Sequence, residues 1–216
     1  MTVAVRRFNS ADELVAAVIN EVTACDLATG VALTGGRIGT SVSLALCDAL
    51  AQRGAQGVPL WFSDERYLPG GDEQRNDTAV LSHVGAGHHV MVESVKGPDA
   101  SASAQESAIE YESRLLSHGL PKVAILSIGP DGHVASIFPG HELFDVTTSG
   151  VCAITDSPKP PPTRVTWTLP LLAQCPSVFL LAAGPDKQEI VQRVLAGDAS
   201  LPATTVATSA VGLFVA

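Results

Sequence analysis

Apolar positions along this chain fall into two patterns. Short unbroken runs, Val3–Phe8, Val31–Thr34, Pro59–Phe62, Val123–Ile128, Val151–Thr155, Arg164–Thr168 and Ser177–Ala183, read as strands. Between them lie amphipathic stretches, Ala11–Leu27, Gly39–Gln52, Ser101–His118 and Pro185–Leu195, that read as helices. The first opens on a capping box, Ser10 followed three residues later by Glu13. The last opens on Pro185, where a missing N–H costs nothing. Strands that are apolar throughout, rather than at alternate positions, are buried on both faces. Alternating with helices, they predict a three-layer α/β fold: a mostly parallel, Rossmann-like sheet with helices on each side. Leu68–Asp77 and the proline-rich Ser157–Thr163 (SPKPPPT) read as loops, the second with a stiff extended backbone. Neither flanks a change in composition and no repeat is visible, so residues 1–216 are expected to form a single domain.

Composition narrows the function classes. With 46% apolar and 16% charged residues the chain is not disordered, and its 216 residues can bury a full core. No apolar run approaches the roughly 18 residues of a membrane span, and Met1–Arg7 has no apolar h-region. Cys25, Cys47, Cys152 and Cys175 are widely spaced, with no CxxC pair, as expected of free thiols in a reducing cytoplasm. A net charge of −9 without a basic face argues against nucleic acid, and no membrane partner is expected. An anionic small-molecule substrate requires basic residues gathered locally.

The most informative stretch is Ile125–Gly140, ILSIGPDGHVASIFPG. A buried strand stops at Gly129-Pro130, and Asp131, Gly132 and His133 follow at once. A carboxylate and an imidazole thus stand at a strand's carboxyl end, where α/β sheets bind ligands. Histidine is the side chain whose ordinary pKa allows it to accept a proton near neutrality, so His133 reads as a general base held in place by its surroundings, ahead of a capping or core histidine bonded to the backbone. Ser136 reads as a structural hydrogen bonder, since the chain has no GxSxG elbow. Gly35-Gly36-Arg37-Ile38-Gly39-Thr40 joins a strand to a helix and reads equally as a tight turn or as a loop offering backbone N–H groups to an anion, with Arg37 and Thr40 favouring the second. In Trp61–Pro69 a strand runs into Asp64, Glu65 and Arg66. The pattern alone suits a solvated strand end, whereas a functional Arg66 would present its fork to a phosphate or carboxylate. Strand alternation puts Arg164 and Thr166 on one face, and a buried-facing Arg164 needs an anion, from a carboxylate or a ligand. Lys187 opposes the dipole at a helix start, which suits an anionic partner, although a flexible surface lysine is the more usual reading. His83, His88, His89 and His141 read as surface residues, and no metal is expected.

In this order the segments resemble the 6-phosphogluconolactonase family, within the group that includes glucosamine-6-phosphate deaminase. The resemblance runs from about Val31 to Val206. It is carried by WFSDERYLP (Trp61–Pro69) with Asp72 and Arg75-Asn76, by IGPDGHVASIFPG (Ile128–Gly140), and by PPTRVTWT, AAGPDK and LPAT. The deaminases carry DEY where this chain has Asp64-Glu65-Arg66. They also carry an AFNEP-like stretch where it has Ala135–Pro139, so both differences favour the lactonase. One departure is that Gly35-Gly36 precedes Arg37-Ile38-Gly39 instead of the usual Ser-Thr-Pro.

The resemblance implies hydrolysis of 6-phospho-D-glucono-1,5-lactone to 6-phospho-D-gluconate in the oxidative pentose phosphate pathway, without cofactor or metal. His133 would be the base and Asp131 its orienting acid. Gly35, Gly36, Arg37, Thr40, Asp64, Arg66, Arg164 and Lys187 would line the substrate and phosphate site. A monomer or small homo-oligomer is expected. The alternatives are a sugar-phosphate isomerase or deaminase of the same group and a non-catalytic sugar-phosphate effector domain. The residues before Val31 leave no room for a helix-turn-helix and no basic patch is seen, so the latter is not expected.

Overall fold

The structure, a computed structural model, describes residues 3–216. Seven strands form one wholly parallel sheet. In chain order they are β1 (Val5–Arg7), β2 (Val31–Leu33), β3 (Val58–Phe62), β5 (Val90–Val92), β6 (Val123–Ser127), β9 (Ser177–Ala182) and β10 (Gly212–Val215). Their spatial order is β1-β10-β9-β6-β2-β3-β5. From β2 the chain builds outward through β3 to β5. It then returns to place β6 on the other side of β2 and builds the opposite way. The order therefore reverses between β2 and β6, where a crevice opens at the strands' carboxyl ends.

Both faces of this sheet are buried, which accounts for the unbroken apolar runs. Val31, Leu33, Leu60, Phe62, Val123 and Ile125 belong to one core. It is covered by α1 (Ala11–Val22) and α2 (Gly36–Gln52), with α3 (Asn76–His83) at its edge. Ala32, Trp61, Ala124 and Leu126 point the other way, into a core shared with α4 (Ala104–His118), α5 (Leu169–Leu172), α6 (Gln188–Leu195) and α7 (Pro202–Ala207). Fully buried Tyr111 fastens α4 to the end of β3. Its hydroxyl donates to the Phe62 carbonyl (3.2 Å) and accepts from the Phe62 N–H (2.7 Å).

A second, antiparallel sheet lies beyond β3: β4 (Asp64–Arg66), β8 (Arg164–Trp167) and β7 (Val151–Ile154), in the order β4-β8-β7. It hangs from the main sheet through Ser63, whose carbonyl accepts from the Trp167 N–H at 2.8 Å.

The structure revises several expected boundaries. Ser10 caps α1 as the capping box requires, but Glu13 reaches the Asn9 N–H (3.0 Å) rather than Ser10. The second helix begins at Gly36, three residues before the expected start, so the glycine turn is shorter than its sequence suggests. The expected loop Leu68–Asp77 ends in α3, whose only buried residues are Asn76, Asp77 and Val80 and which shows little amphipathic pattern. Strands β4, β5 and β10 are four residues or fewer. No described helix is long and apolar enough to cross a membrane.

Candidate active site

The crevice at the β2–β6 reversal is a cavity of about 300 Å³, within the size range of small-ligand sites. Its floor is the chain leaving β2 (Thr34-Gly35-Gly36) and β6 (Ser127-Ile128-Gly129-Pro130). The adjacent sheet contributes Asp64, Arg66 and Arg164 to the wall, and the segment after β9 contributes Asp186 and Lys187.

His133 and Asp131 sit on a tight turn after β6, closed by hydrogen bonds from Gly132 N–H to the Gly129 carbonyl and from Gly129 N–H to the His133 carbonyl (both 2.9 Å). Residue 129 must be glycine, because a Cβ there would lie 1.9 Å from His133 Nδ1. The imidazole packs on Phe138, with ring centroids 4.7 Å apart, and its Nδ1 lies 2.5 Å from Asp131 Oδ1. With Nδ1–H donated to the carboxylate, Nε2 carries the lone pair. Burial works to raise the Asp131 pKa. The hydrogen bond and charge of His133, together with the Lys159 ammonium, outweigh it and hold the carboxyl well below the usual carboxylate range. Asp131 is therefore an anion wherever the ring could act as a base.

Five of the chain's 13 lysines and arginines line this one cavity: Arg37, Arg66, Lys159, Arg164 and Lys187, against the carboxylates of Asp64 and Asp186. An acidic protein thus carries a locally cationic cleft. Arg66 donates from Nη1 to the Gln74 carbonyl, while its buried Nε has no partner among the described residues. An orphaned buried N–H beside the cleft is a donor in want of a ligand. Lys187 precedes α6 in a short 3₁₀ turn and, among the described residues, pairs only with Asp186 (3.3 Å). Arg37 is exposed on the first turn of α2, where the Gly36 backbone also faces the cleft.

Some predicted site residues occupy other roles. Thr40 does not line the cavity: with α2 starting at Gly36 it lies a turn further along the helix. Arg164 lines the cleft but is only 4% exposed, and most of its donors are taken. Nε donates to the Pro161 carbonyl (3.1 Å), and Nη2 to those of Lys159 (3.0 Å) and Pro160 (3.2 Å). Nη1 reaches Ser136 Oγ (3.4 Å) and lies 3.8 Å from Asp64. Ser136 is the structural hydrogen bonder expected, donating to Asp64 at 2.6 Å.

Asp64 and Glu65 are buried, so β4 does not end in solvent. Glu65 accepts the N–H groups of Arg66 (2.7 Å), Asn76 (2.8 Å) and Asp77 (2.9 Å), capping α3 from another strand. Arg75 forms a fork with Asp77 (2.9 and 2.5 Å). This frame holds Arg66 and Asn76 at the cleft, and Asn76 in turn donates to the Asp64 carbonyl (2.8 Å). Lys159 is the cleft residue that pattern reading missed. It sits in a segment expected to be a loop, with no local signal of its partner at residue 131.

Three histidines read as surface residues are instead paired with carboxylates. Nε2 of His83 (2.8 Å) and of His88 (3.0 Å) both face Asp48 Oδ1 on α2. His88 Nδ1 accepts the Gly85 N–H (3.1 Å), so its Nε2 carries the proton and is a donor, not a metal ligand. His141 Nε2 lies 3.0 Å from Asp156. Their partners lie far along the chain, beyond the reach of local spacing. His89 is exposed, as expected.

Comparison with known proteins agrees with this geometry. Residues 5–214 match the family model described as glucosamine-6-phosphate isomerases/6-phosphogluconolactonase. The 6-phosphogluconolactonase of Streptomyces coelicolor is 37% identical over 191 residues, 80% of this chain and 72% of that protein. That of Mycobacterium tuberculosis is 32% identical over 231 residues, 98% and 93% of the two chains. Among solved structures, a 6-phosphogluconolactonase from Shewanella baltica shares the fold with a TM-score of 0.85 at 18% identity, across 99% of this chain and 97% of that one. The chain belongs to the glucosamine-6-phosphate isomerase/6-phosphogluconolactonase family.

Proposed function

We propose that this protein hydrolyses 6-phospho-D-glucono-1,5-lactone to 6-phospho-D-gluconate, with His133 as general base. The observation that carries the reading is an Asp131-oriented imidazole beside a cleft lined by five cations. The lactonase names of its relatives support the choice of substrate.

A lactone is an activated ester, so water can attack C1 without a covalent enzyme intermediate. His133 Nε2 takes a proton from that water as the C1–O bond forms. Asp131 holds the ring's tautomer and stabilises the imidazolium, as the acid of a hydrolytic triad does. Collapse of the tetrahedral intermediate breaks the bond from C1 to the ring oxygen, and His133 returns the proton to that oxygen. General-base assistance of this kind is worth roughly 10²–10⁴-fold.

The distant phosphate would be held by Arg66, Lys187, Arg37 and the backbone at Gly35-Gly36, all of which line the same cavity as His133. Fixing that end holds C1 against the water, so binding energy far from the reaction serves the chemical step. The assay uses freshly generated lactone, corrected for spontaneous opening. Acceleration by the wild type and its loss in His133→Asn support the reading. Release of ammonia from glucosamine 6-phosphate, without lactone hydrolysis, overturns it.

A further inference from the structure

The reaction above uses Asp131 and His133 but leaves the cation beside them unassigned. Lys159 Nζ lies 3.0 Å from Asp131 Oδ2 and 3.2 Å from His133 Nδ1, so it touches both members of the pair on the side away from Nε2. Its backbone is fixed with unusual thoroughness. Ser157 Oγ accepts the Lys159 N–H (3.3 Å) and donates to the Lys159 carbonyl (3.0 Å). The Ser157 N–H closes the loop onto the Pro162 carbonyl (3.0 Å). Arg164 then gathers the consecutive carbonyls of Lys159, Pro160 and Pro161 in its planar fork. The guanidinium and the Lys159 ammonium both lie 5.8 Å from the ring centre of Phe138, the ring on which His133 packs.

We infer that Lys159 is a positioning residue that keeps His133 in its neutral, proton-accepting form, and that Arg164 is the strut holding Lys159 in place. The inference rests on the reading of His133 as the base. An imidazole facing a lone carboxylate is drawn to the imidazolium form, which cannot accept a proton. A fixed ammonium at Nδ1 opposes the second ring proton while leaving Asp131 able to orient the first. Asp131 serves both through separate oxygens, Oδ1 to the ring and Oδ2 to Lys159. The other charges lining the cleft, Arg37, Asp64, Arg66, Arg164, Asp186 and Lys187, make no hydrogen bond or ion pair with the ring. Even with water-like screening, two unit charges about 3 Å apart shift a protonation equilibrium by roughly ten-fold.

The test compares wild type, Lys159→Met and Lys159→Arg in the full chain, folding being checked by circular dichroism. kcat/KM is followed against pH, and the His133 ring is titrated by ¹H–¹⁵N NMR. In Lys159→Met the acid limb and the ring titration should both move up by about one pH unit. Activity should fall about ten-fold on the acid side and converge with wild type on the alkaline side. Lys159→Arg should restore the limb. An unmoved ring titration overturns the inference. So does a loss confined to KM for the phosphorylated lactone, which makes Lys159 a phosphate ligand instead. Full turnover in His133→Asn defeats the base reading itself. An altered Lys159 outcome with an essential His133 defeats only the present inference.

Discussion

Among the described residues imidazole meets carboxylate at hydrogen-bond distance in three places, and two of them, at Asp48 and at Asp131, differ in what is left over. At Asp48, both His83 and His88 turn Nε2 toward one exposed carboxylate on the outside of α2. At Asp131, His133 spends Nδ1 and keeps Nε2, and the ring lines a cation-rich cleft at the reversal of strand order. The chemistry lies in the unspent nitrogen and in what faces it, rather than in the pair itself.

Breaking each pair should therefore have very different consequences. His133→Asn should lower kcat by roughly 10²–10⁴-fold, with product affinity nearly unchanged in calorimetry. His88→Asn should leave steady-state turnover at the wild-type level. Near-equal effects would erase the distinction. Gly129→Ala sharpens it, because a methyl group 1.9 Å from Nδ1 and 2.7 Å from Asp131 Oδ1 must push the imidazole and its carboxylate out of place. A displacement of about 1 Å costs up to ~10²-fold in kcat, and a crystal structure of the variant should show a rotated imidazole.

The cationic end should fail differently. Lys187→Ala should reduce kcat/KM for the phosphorylated lactone by about 10- to 100-fold, the worth of one charge-assisted hydrogen bond. It should barely affect unphosphorylated gluconolactone, and equal losses on both substrates would contradict the phosphate role.

The smallest effect is on stability. Asp131 titrates below its unfolded value, so its contribution is complete above pH ~4 and is lost as the pH falls through the folded value. Asp131→Asn should lower Tm at pH 6, with the gap closing toward pH 2. Because Asp131 is 38% exposed, screening limits the gap to about 1 kcal/mol.

These contrasts also explain what could be read from the chain. Strands β2, β3, β6 and β9 are apolar on both faces and were visible as unbroken runs. Asp131 and His133 were visible because the pair is local and follows a strand-ending Gly-Pro. Strand β5 did not stand out because it is only partly buried, with Met91 exposed, and β10 was not read as a strand. The burial of Asp64 and Glu65 was hidden because their partners come from Ser136 and from the start of α3. Arg164 was correctly placed on a buried face. What it binds there is chiefly its own neighbouring carbonyls, which strand alternation cannot reveal. Lys159 was lost for the same reason: its value lies in a contact 28 residues back along the chain, from position 159 to position 131.

The most direct measurement is the initial rate of wild type and His133→Asn on freshly prepared 6-phospho-D-glucono-1,5-lactone, each corrected for spontaneous opening. Rapid hydrolysis by the wild type is expected, with a variant slower by at least about 10² that still binds 6-phosphogluconate. A variant as fast as wild type, or a wild type no faster than buffer, would contradict this expectation.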